Sequence, residues 1–162
     1  MITMSVKQAK FLIDEWKANE NPVYMTSGGF DPMHIGHLRC IQKTAKLASE
    51  VDGKTVVIVN GDGFLERKKG VPFMPCVERC EIIAGLRGVD LVVPWDDGSQ
   101  TVVGAIEQLQ PNFFTKGGDR NDPTVIPEWS ICQEINCEVV FGVGGNKIQS
   151  SSWLTKNYPS IG

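Results

Sequence analysis

Both histidines of the chain, His34 and His37, bracket a glycine in the segment Gly28-Gly29-Phe30-Asp31-Pro32-Met33-His34-Ile35-Gly36-His37. Two imidazoles at this spacing, where a glycine turn opens a helix, suit a phosphate. Free backbone N–H groups and the positive end of the helix dipole already favour an anion there. Gly36 lets a phosphate come close to the backbone, and the imidazoles can donate to oxygens whose charge grows during phosphoryl transfer. The plainer alternative makes one histidine a polar group at the helix start and the other a satisfied core residue. No metal site is expected: His34, His37 and Cys40 could be written as zinc ligands, but no fourth ligand has sensible spacing. Arg67-Lys68-Lys69 is the only dense basic run. It could neutralise a phosphate ligand, or be a solvated surface loop. A Walker A loop is absent, and Gly142 and Gly144 begin a G-x-G-x-x-G pattern that Lys147 does not close.

These groups need a scaffold. Val23-Tyr24-Met25-Thr26 reads as a buried strand running into Ser27-Gly28-Gly29, and Leu38, Ile41, Ala45 and Ala48 follow at helical spacing. Thr55-Val56-Val57-Ile58-Val59 is a β-branched run of the kind covered on both faces in parallel sheets. A loop through Gly61-Asp62-Gly63 follows, and then Pro75 suits the first turn of a helix carrying Val77, Cys80, Ile83, Ala84 and Arg87. Leu91-Val92-Val93 reads as a third strand. Ser99 can cap a helix bearing Val102, Val103, Ile106 and Leu109, with Asn112-Phe113-Phe114-Thr115 as the fourth strand. A helix around 125–135 and the strand Glu138-Val139-Val140-Phe141 complete the alternation.

The pattern predicts an α/β fold, a Rossmann-like doubly wound sheet of about five parallel strands, with ligands beyond the carboxyl ends of the strands. Residues 1–22 are read as an N-terminal accessory helix, with Phe11, Leu12 and Trp16 near one face, and 23–162 as the main domain.

The chain has 162 residues, 41% of them hydrophobic, which suits one domain. Its 16 Lys+Arg against 19 Asp+Glu leave a net charge of −3, so a broad polyanion surface is not expected and nucleic acid is not a predicted partner. No stretch approaches the ~18 apolar residues that span a bilayer, and nothing at the N-terminus reads as a signal peptide. Five cysteines without a Cys-x-x-Cys pair fit a reducing cytoplasm. Cys76 and Cys80 share a helix face, read as structural rather than redox-active, and Trp95, Trp129 and Trp153 are read as packing residues.

The segment from Gly28 to His37 resembles the G-x-F-D-x-x-H-x-G-H signature of the cytidylyltransferase-like nucleotidyltransferases, in the place that family has it, after the first strand. The resemblance runs from Tyr24 to Leu154. It takes in Val59-Asn60-Gly61-Asp62, the basic run, Glu78-Arg79-Cys80-Glu81-Ile82-Ile83 with Val89-Asp90, Lys116-Gly117-Gly118-Asp119, and Gln149-Ser150-Ser151-Ser152. It implies in-line attack of a substrate phosphate on the α-phosphorus of a nucleoside triphosphate, with release of pyrophosphate. His34, His37 and Lys69 would be catalytic. Ser27, Gly28, Gly29, Phe30, Gly36, Lys116, Gly117, Gly118, Asp119, Lys147, Ser150, Ser151 and Ser152 would hold the nucleotide. Asp31, Asn60, Asp62, Arg67, Lys68 and Arg79 would face the acceptor, although Asp31 could equally orient the glycine loop or form an Asx turn. Mg²⁺ would be carried mainly by the triphosphate.

The block from Val89 to Asp119 is most similar to the adenylyltransferase domain of ADP-heptose synthases, implying ATP and a sugar phosphate. CTP with a polyol or amino-alcohol phosphate, as in the glycerol-3-phosphate branch, is the alternative, and a non-catalytic nucleotide sensor is another. His34-Ile35-Gly36-His37 with Lys147-Ile148-Gln149-Ser150-Ser151 also resembles the paired signatures of class I aminoacyl-tRNA synthetases, but so short and acidic a chain has no room for a tRNA-binding domain. A homodimer is expected, because so small a domain must build its acceptor pocket from loops and a partner.

Overall fold

The computed structural model describes residues 2–118 and 126–144. In chain order the elements are β1 (Ile2–Thr3), α1 (Val6–Ala18), β2 (Val23–Gly28), α2 (Ile35–Ser49), β3 (Lys54–Asn60), α3 (Asp62–Lys69), α4 (Cys76–Ala84), β4 (Leu91–Trp95), α5 (Val103–Leu109), β5 (Phe113–Thr115), α6 (Trp129–Glu134) and β6 (Glu138–Val140). The sheet runs β1-β4-β3-β2-β5-β6 with every pairing parallel. The five expected strands are present. A sixth, β1, adds two residues beside Leu91 and Val92, too short to leave a periodic signal.

Helices cover both faces because β3 is apolar on both. Val56 and Ile58 lie in the core beneath α1, α5 and α6, whereas Val57 and Val59 belong to the core beneath α2 and α4. Successive side chains of a strand point to opposite faces, so an unbroken β-branched run fills both layers. Each such valine or isoleucine stabilises the fold by roughly 1.5–3 kcal/mol of transfer free energy.

Ser5 caps α1 and exchanges hydrogen bonds with Gln8, a capping box that fixes the helix start. The buried face of α1 is Ala9 and Ile13, flanked by Leu12 and Trp16. Phe11, expected beside them, is instead 74% exposed, because it lies two positions from both Ala9 and Ile13 and so turns away from the face they share.

Two other expectations change. The basic run lies on α3 and not in a loop. Gly61 supplies an extended residue before the helix, Phe64 and Leu65 are buried, and Asp62 in the first turn and Arg67, Lys68 and Lys69 in the last complement the helix dipole. Ser99 does not cap α5, which begins after Val102. Its hydroxyl bonds the Asp97 carboxylate at 2.7 Å, closing the turn after β4. The β4 helix successor therefore starts later than the polar signal suggests.

Candidate active site

The chain moves outward from β2 to β3 and β4, then returns through α5 to place β5 on the other side of β2. The sheet order thus reverses between β2 and β5, and the carboxyl ends of these two strands flank the crevice where doubly wound sheets bind ligands. Hydroxyls tie its floor together. Thr26 of β2 donates to the Thr115 carbonyl at 3.2 Å, and Thr44 of α2 donates to the Cys40 carbonyl, so the 2.8 Å contact between the Thr115 and Thr44 hydroxyls is donated by Thr115. Cys40 packs beneath Gly117, where a Cβ would stand 3.4 Å from its sulfur, and burial raises the Cys40 thiol pKa.

His34 and His37 form the start of α2. The His34 Nδ1 accepts the Gly36 N–H at 3.1 Å, and the His37 Nδ1 accepts the His34 N–H at 3.2 Å. Both rings therefore act as caps, stacked with centroids 3.8 Å apart, and Phe30 meets His37 edge-on. Both histidines are polar groups at the helix start and neither is a buried core residue; with Nδ1 accepting, a neutral ring carries its proton on Nε2. Gly36 is required here, since a Cβ would lie 2.9 Å from His34 Cε1. Gly36→Ala is expected to lower turnover about 10- to 100-fold by displacing the imidazole. The thermal midpoint should fall only slightly, because the helix propensity that alanine gains offsets much of the cap lost with the displaced imidazole. A drop in stability equal to the loss of rate would assign Gly36 to folding alone.

Asp31 is 2% exposed, and both carboxylate oxygens are used. They accept the Phe73 and Met74 N–H groups at 2.6 Å each, and Lys69 Nζ lies 2.9 Å from Oδ2 and 2.5 Å from the Asp31 carbonyl. Of the roles open for Asp31, its geometry is that of an orienting group: it joins the β2 loop to the end of α3 and to the segment before α4. The Lys69 side chain, one-quarter exposed, meets this loop at its rim. Lys69→Ala is expected to weaken binding of a phosphate ligand about 10- to 100-fold, the scale of one lost charge-assisted hydrogen bond. Titration calorimetry with the nucleotide and with the acceptor checks this, and unchanged affinity for both would return Lys69 to a purely structural role.

Arg67, Lys68 and Arg79 are placed differently. Arg67 pairs with Asp96 at 2.5 Å and donates to the Ser99 carbonyl, holding the Asp96 carboxyl below its ordinary pKa. Asp97 is likewise held low by Ser99. Lys68 is exposed. Arg79, expected to meet an acceptor phosphate, is 1% exposed. Its guanidinium donates to the carbonyls of Met74 (2.8 Å), Gly29 (2.8 Å) and Asn60 (2.5 Å) and to Asp62 Oδ1 (2.7 Å). It ties the ends of β2 and β3 to α3 and α4 and is not presented to a ligand. The sequence marks the arginine but not its depth.

Ser27, Gly28 and Gly29 lie half-buried at the end of β2, with Phe30 beneath them so that a Cβ on Gly28 would meet its ring at 2.9 Å. Lys116, Gly117 and Gly118 leave β5 beside β2, with Lys116 Nζ 5.7 Å from the Phe114 ring centroid. Asn60 ends β3 with its Oδ1 buried and without a hydrogen-bond partner. Glu128, before α6, was not foreseen: it is 5% exposed with Oε2 equally unpartnered, and no sequence pattern marks an isolated glutamate. Asp119, Lys147, Ser150, Ser151 and Ser152 lie outside the described residues. Among the described residues no group of three His, Cys, Asp or Glu could hold a metal ion, and no helix is long and apolar enough to cross a membrane.

The model of the cytidylyltransferase-like family matches residues 25–153, spanning β2 to the region beyond β6. The chain belongs to that family. It is accordingly a nucleotidyltransferase domain, and the matched residues include His34 and His37. Among similar proteins, "Bifunctional protein HldE" of Hahella chejuensis (strain KCTC 2396) is 33% identical over 144 residues, 88% of this chain and 27% of that protein. The protein of the same name from Shewanella loihica (strain ATCC BAA-1088 / PV-4) is 33% identical over 120 residues, 73% of this chain and 24% of that protein. The chain thus spans about a quarter of the length of these relatives. Its fold is shared with a lipopolysaccharide core biosynthesis protein from Thermoplasma volcanium GSS1, at a TM-score of 0.59 and 23% identity, covering 74% of this chain and 94% of that one.

Proposed function

We propose that this chain transfers a nucleoside monophosphate from a nucleoside triphosphate, ATP in the first instance, to a sugar phosphate and releases pyrophosphate. The observation that carries the reading is the pair of imidazoles whose Nδ1 atoms cap α2, so that both Nε2–H donors belong to a helix N-terminus at the β2/β5 reversal. An acceptor phosphate oxygen attacks the α-phosphorus as the bond to the bridging β-phosphate oxygen breaks, and the electron pair leaves with pyrophosphate. A phosphate monoester is already anionic near neutral pH, so the attack needs no general base. His34 and His37 donate to the α-phosphate and leaving-group oxygens as their charge grows, with the α2 dipole aligned to help. Lys69 neutralises a phosphate of the bound pair. Gly117 and Gly118 leave room for the nucleoside.

Mg²⁺ fits this site as an ion carried by the triphosphate, because the Asp31 carboxylate is committed to Lys69 and two backbone N–H groups. When bound it would neutralise triphosphate charge. The choice of ATP and of a sugar phosphate rests on the sequence resemblance over Val89–Asp119. Exposed Val71, Phe73 and Val77 support a homodimer, and five free cysteines support a reducing cytoplasm as its compartment.

A pyrophosphate-release screen of ATP, CTP, GTP and UTP against sugar and polyol phosphates tests the reading. ATP with a sugar phosphate should give the highest rate. CTP with a polyol phosphate would move the chain to the cytidylyltransferase alternative, and no release with any pair would make it a nucleotide sensor.

A further inference from the structure

The geometry points to Cys76 and Cys80 as a modification site: a thiol pair that a peroxide oxidises to a reversible disulfide at the foot of the Arg79 clamp. Cys76 opens α4 and Cys80 lies one turn later, with their sulfurs 3.9 Å apart. In a helix, Cα atoms four residues apart are separated by about 6 Å, within the roughly 4.4–6.8 Å span of a disulfide. Their Cβ atoms, however, stand about 5–6 Å apart against about 3.5–4.5 Å in a disulfide, so closure has to unwind the first turn of α4, where Cys76 is the first residue. Their side chains share one face. The partners are unequal: Cys76 is half-buried, whereas Cys80 is 4% exposed.

That inequality assigns the order of events. The hydrogen bond with the Cys80 thiol, with help from the Arg79 charge, brings the Cys76 thiol down to about 7, although burial and Asp62 oppose it. The same bond and burial keep Cys80 protonated well above the ordinary thiol range. Cys76 thiolate attacks the O–O bond of hydrogen peroxide, forming a sulfenic acid and releasing hydroxide, which takes up a proton as water. The Cys80 sulfur then displaces the sulfenic hydroxyl, which leaves as a second water with the Cys80 proton. In sum two thiols and one peroxide give one disulfide and two waters.

Closing the sulfurs from 3.9 Å to about 2.05 Å draws in the first turn of α4. The Cys76 N–H at that turn donates to Asp62 Oδ1 at 2.9 Å, the same oxygen that accepts from Arg79 at 2.7 Å. Oxidation therefore pulls on the clamp that holds the Gly29 and Asn60 carbonyls. The effect on turnover rests on the proposed function; the thiol chemistry does not.

The full chain is treated with hydrogen peroxide, alkylated and digested with trypsin, which cuts after Arg79 and so places the two cysteines in peptides 70–79 and 80–87. The expected product is these peptides cross-linked, separated by dithiothreitol. In Cys80→Ser, whose hydroxyl can still donate to the Cys76 sulfur, Cys76 should instead be trapped by dimedone as its sulfenic acid. Cys76 sulfinic acid without a cross-link in the unmodified sequence, or a link to Cys40, Cys132 or Cys137 in its place, would overturn the assignment. Pyrophosphate release should fall about tenfold on oxidation, the factor for one weakened charge-assisted hydrogen bond, and return with dithiothreitol. A disulfide that leaves turnover unchanged would overturn its link to the clamp. Should no substrate pair give release, the peptide map still decides the thiol chemistry.

Discussion

Replacing His34 with asparagine is expected to lower turnover about 100- to 1,000-fold, the scale measured when one donor to a developing oxyanion is removed. The choice of asparagine matters. His34 is the N-cap of α2 and accepts the Gly36 N–H, so alanine would remove the cap as well as the donor and cost about 0.5–2 kcal/mol of stability. Asparagine is among the best N-caps, and its side-chain oxygen can take the same N–H. It offers no imidazole Nε2–H. A normal thermal midpoint, nearly unchanged nucleotide affinity and a lost rate would together place the group in the transition state. His37→Asn is expected to behave alike on turnover. If either variant lost affinity and kcat/KM in equal measure, with kcat intact, the imidazole would be a ground-state ligand, and the charge-stabilising role would fall.

The second large effect is on stability. Arg79→Ala should lower the free energy of unfolding by about 3–5 kcal/mol, the range seen when one partner of a buried charge pair is removed. Asp62 contributes only part of this, because its side chain is 45% exposed and can turn to water. The larger share comes from the Met74, Gly29 and Asn60 carbonyls, which lose their donor inside the protein. Urea unfolding reads the change directly, with the midpoint lowered by about 2 M if the slope is typical of a small domain. Arg79→Lys keeps the charge but has one ammonium where the guanidinium reaches four acceptors, so it should recover less than half of the loss. A variant that unfolded normally and lost only affinity for a phosphorylated acceptor would restore Arg79 to the ligand role expected from the sequence.

Arg79 and Lys69 show where sequence reading is sound and where it stops. Both were singled out as cations near a phosphate site. Charge and spacing along the chain say nothing of depth, which is set by packing of α4 against β3 and β4, and this buried one guanidinium completely while leaving the Lys69 ammonium at the rim. The sequence leaves three roles open for Asp31, since its partners Phe73 and Met74 lie more than forty residues away. The helical placement of Arg67, Lys68 and Lys69 was missed because a glycine-rich start reads as a loop, whereas burial of Phe64 and Leu65 makes it a helix. Cys76 and Cys80 were placed on one face from their spacing, but only the packing separates a half-buried thiol from a buried one.

By itself the sequence determined the alternation of strands and helices, the parallel sheet covered on both faces and the imidazole pair at a helix start. These follow from periodicity and local backbone chemistry, which are properties of neighbouring residues. The tertiary structure alone decided which cation stands at the rim of the glycine loop and which is buried beneath it, which carboxylate is spent on holding the rim, and that both histidines cap the helix through Nδ1. Such choices depend on contacts between segments far apart in the chain, and they exist only once the sheet order has brought the ends of β2, β3 and β5 to one edge.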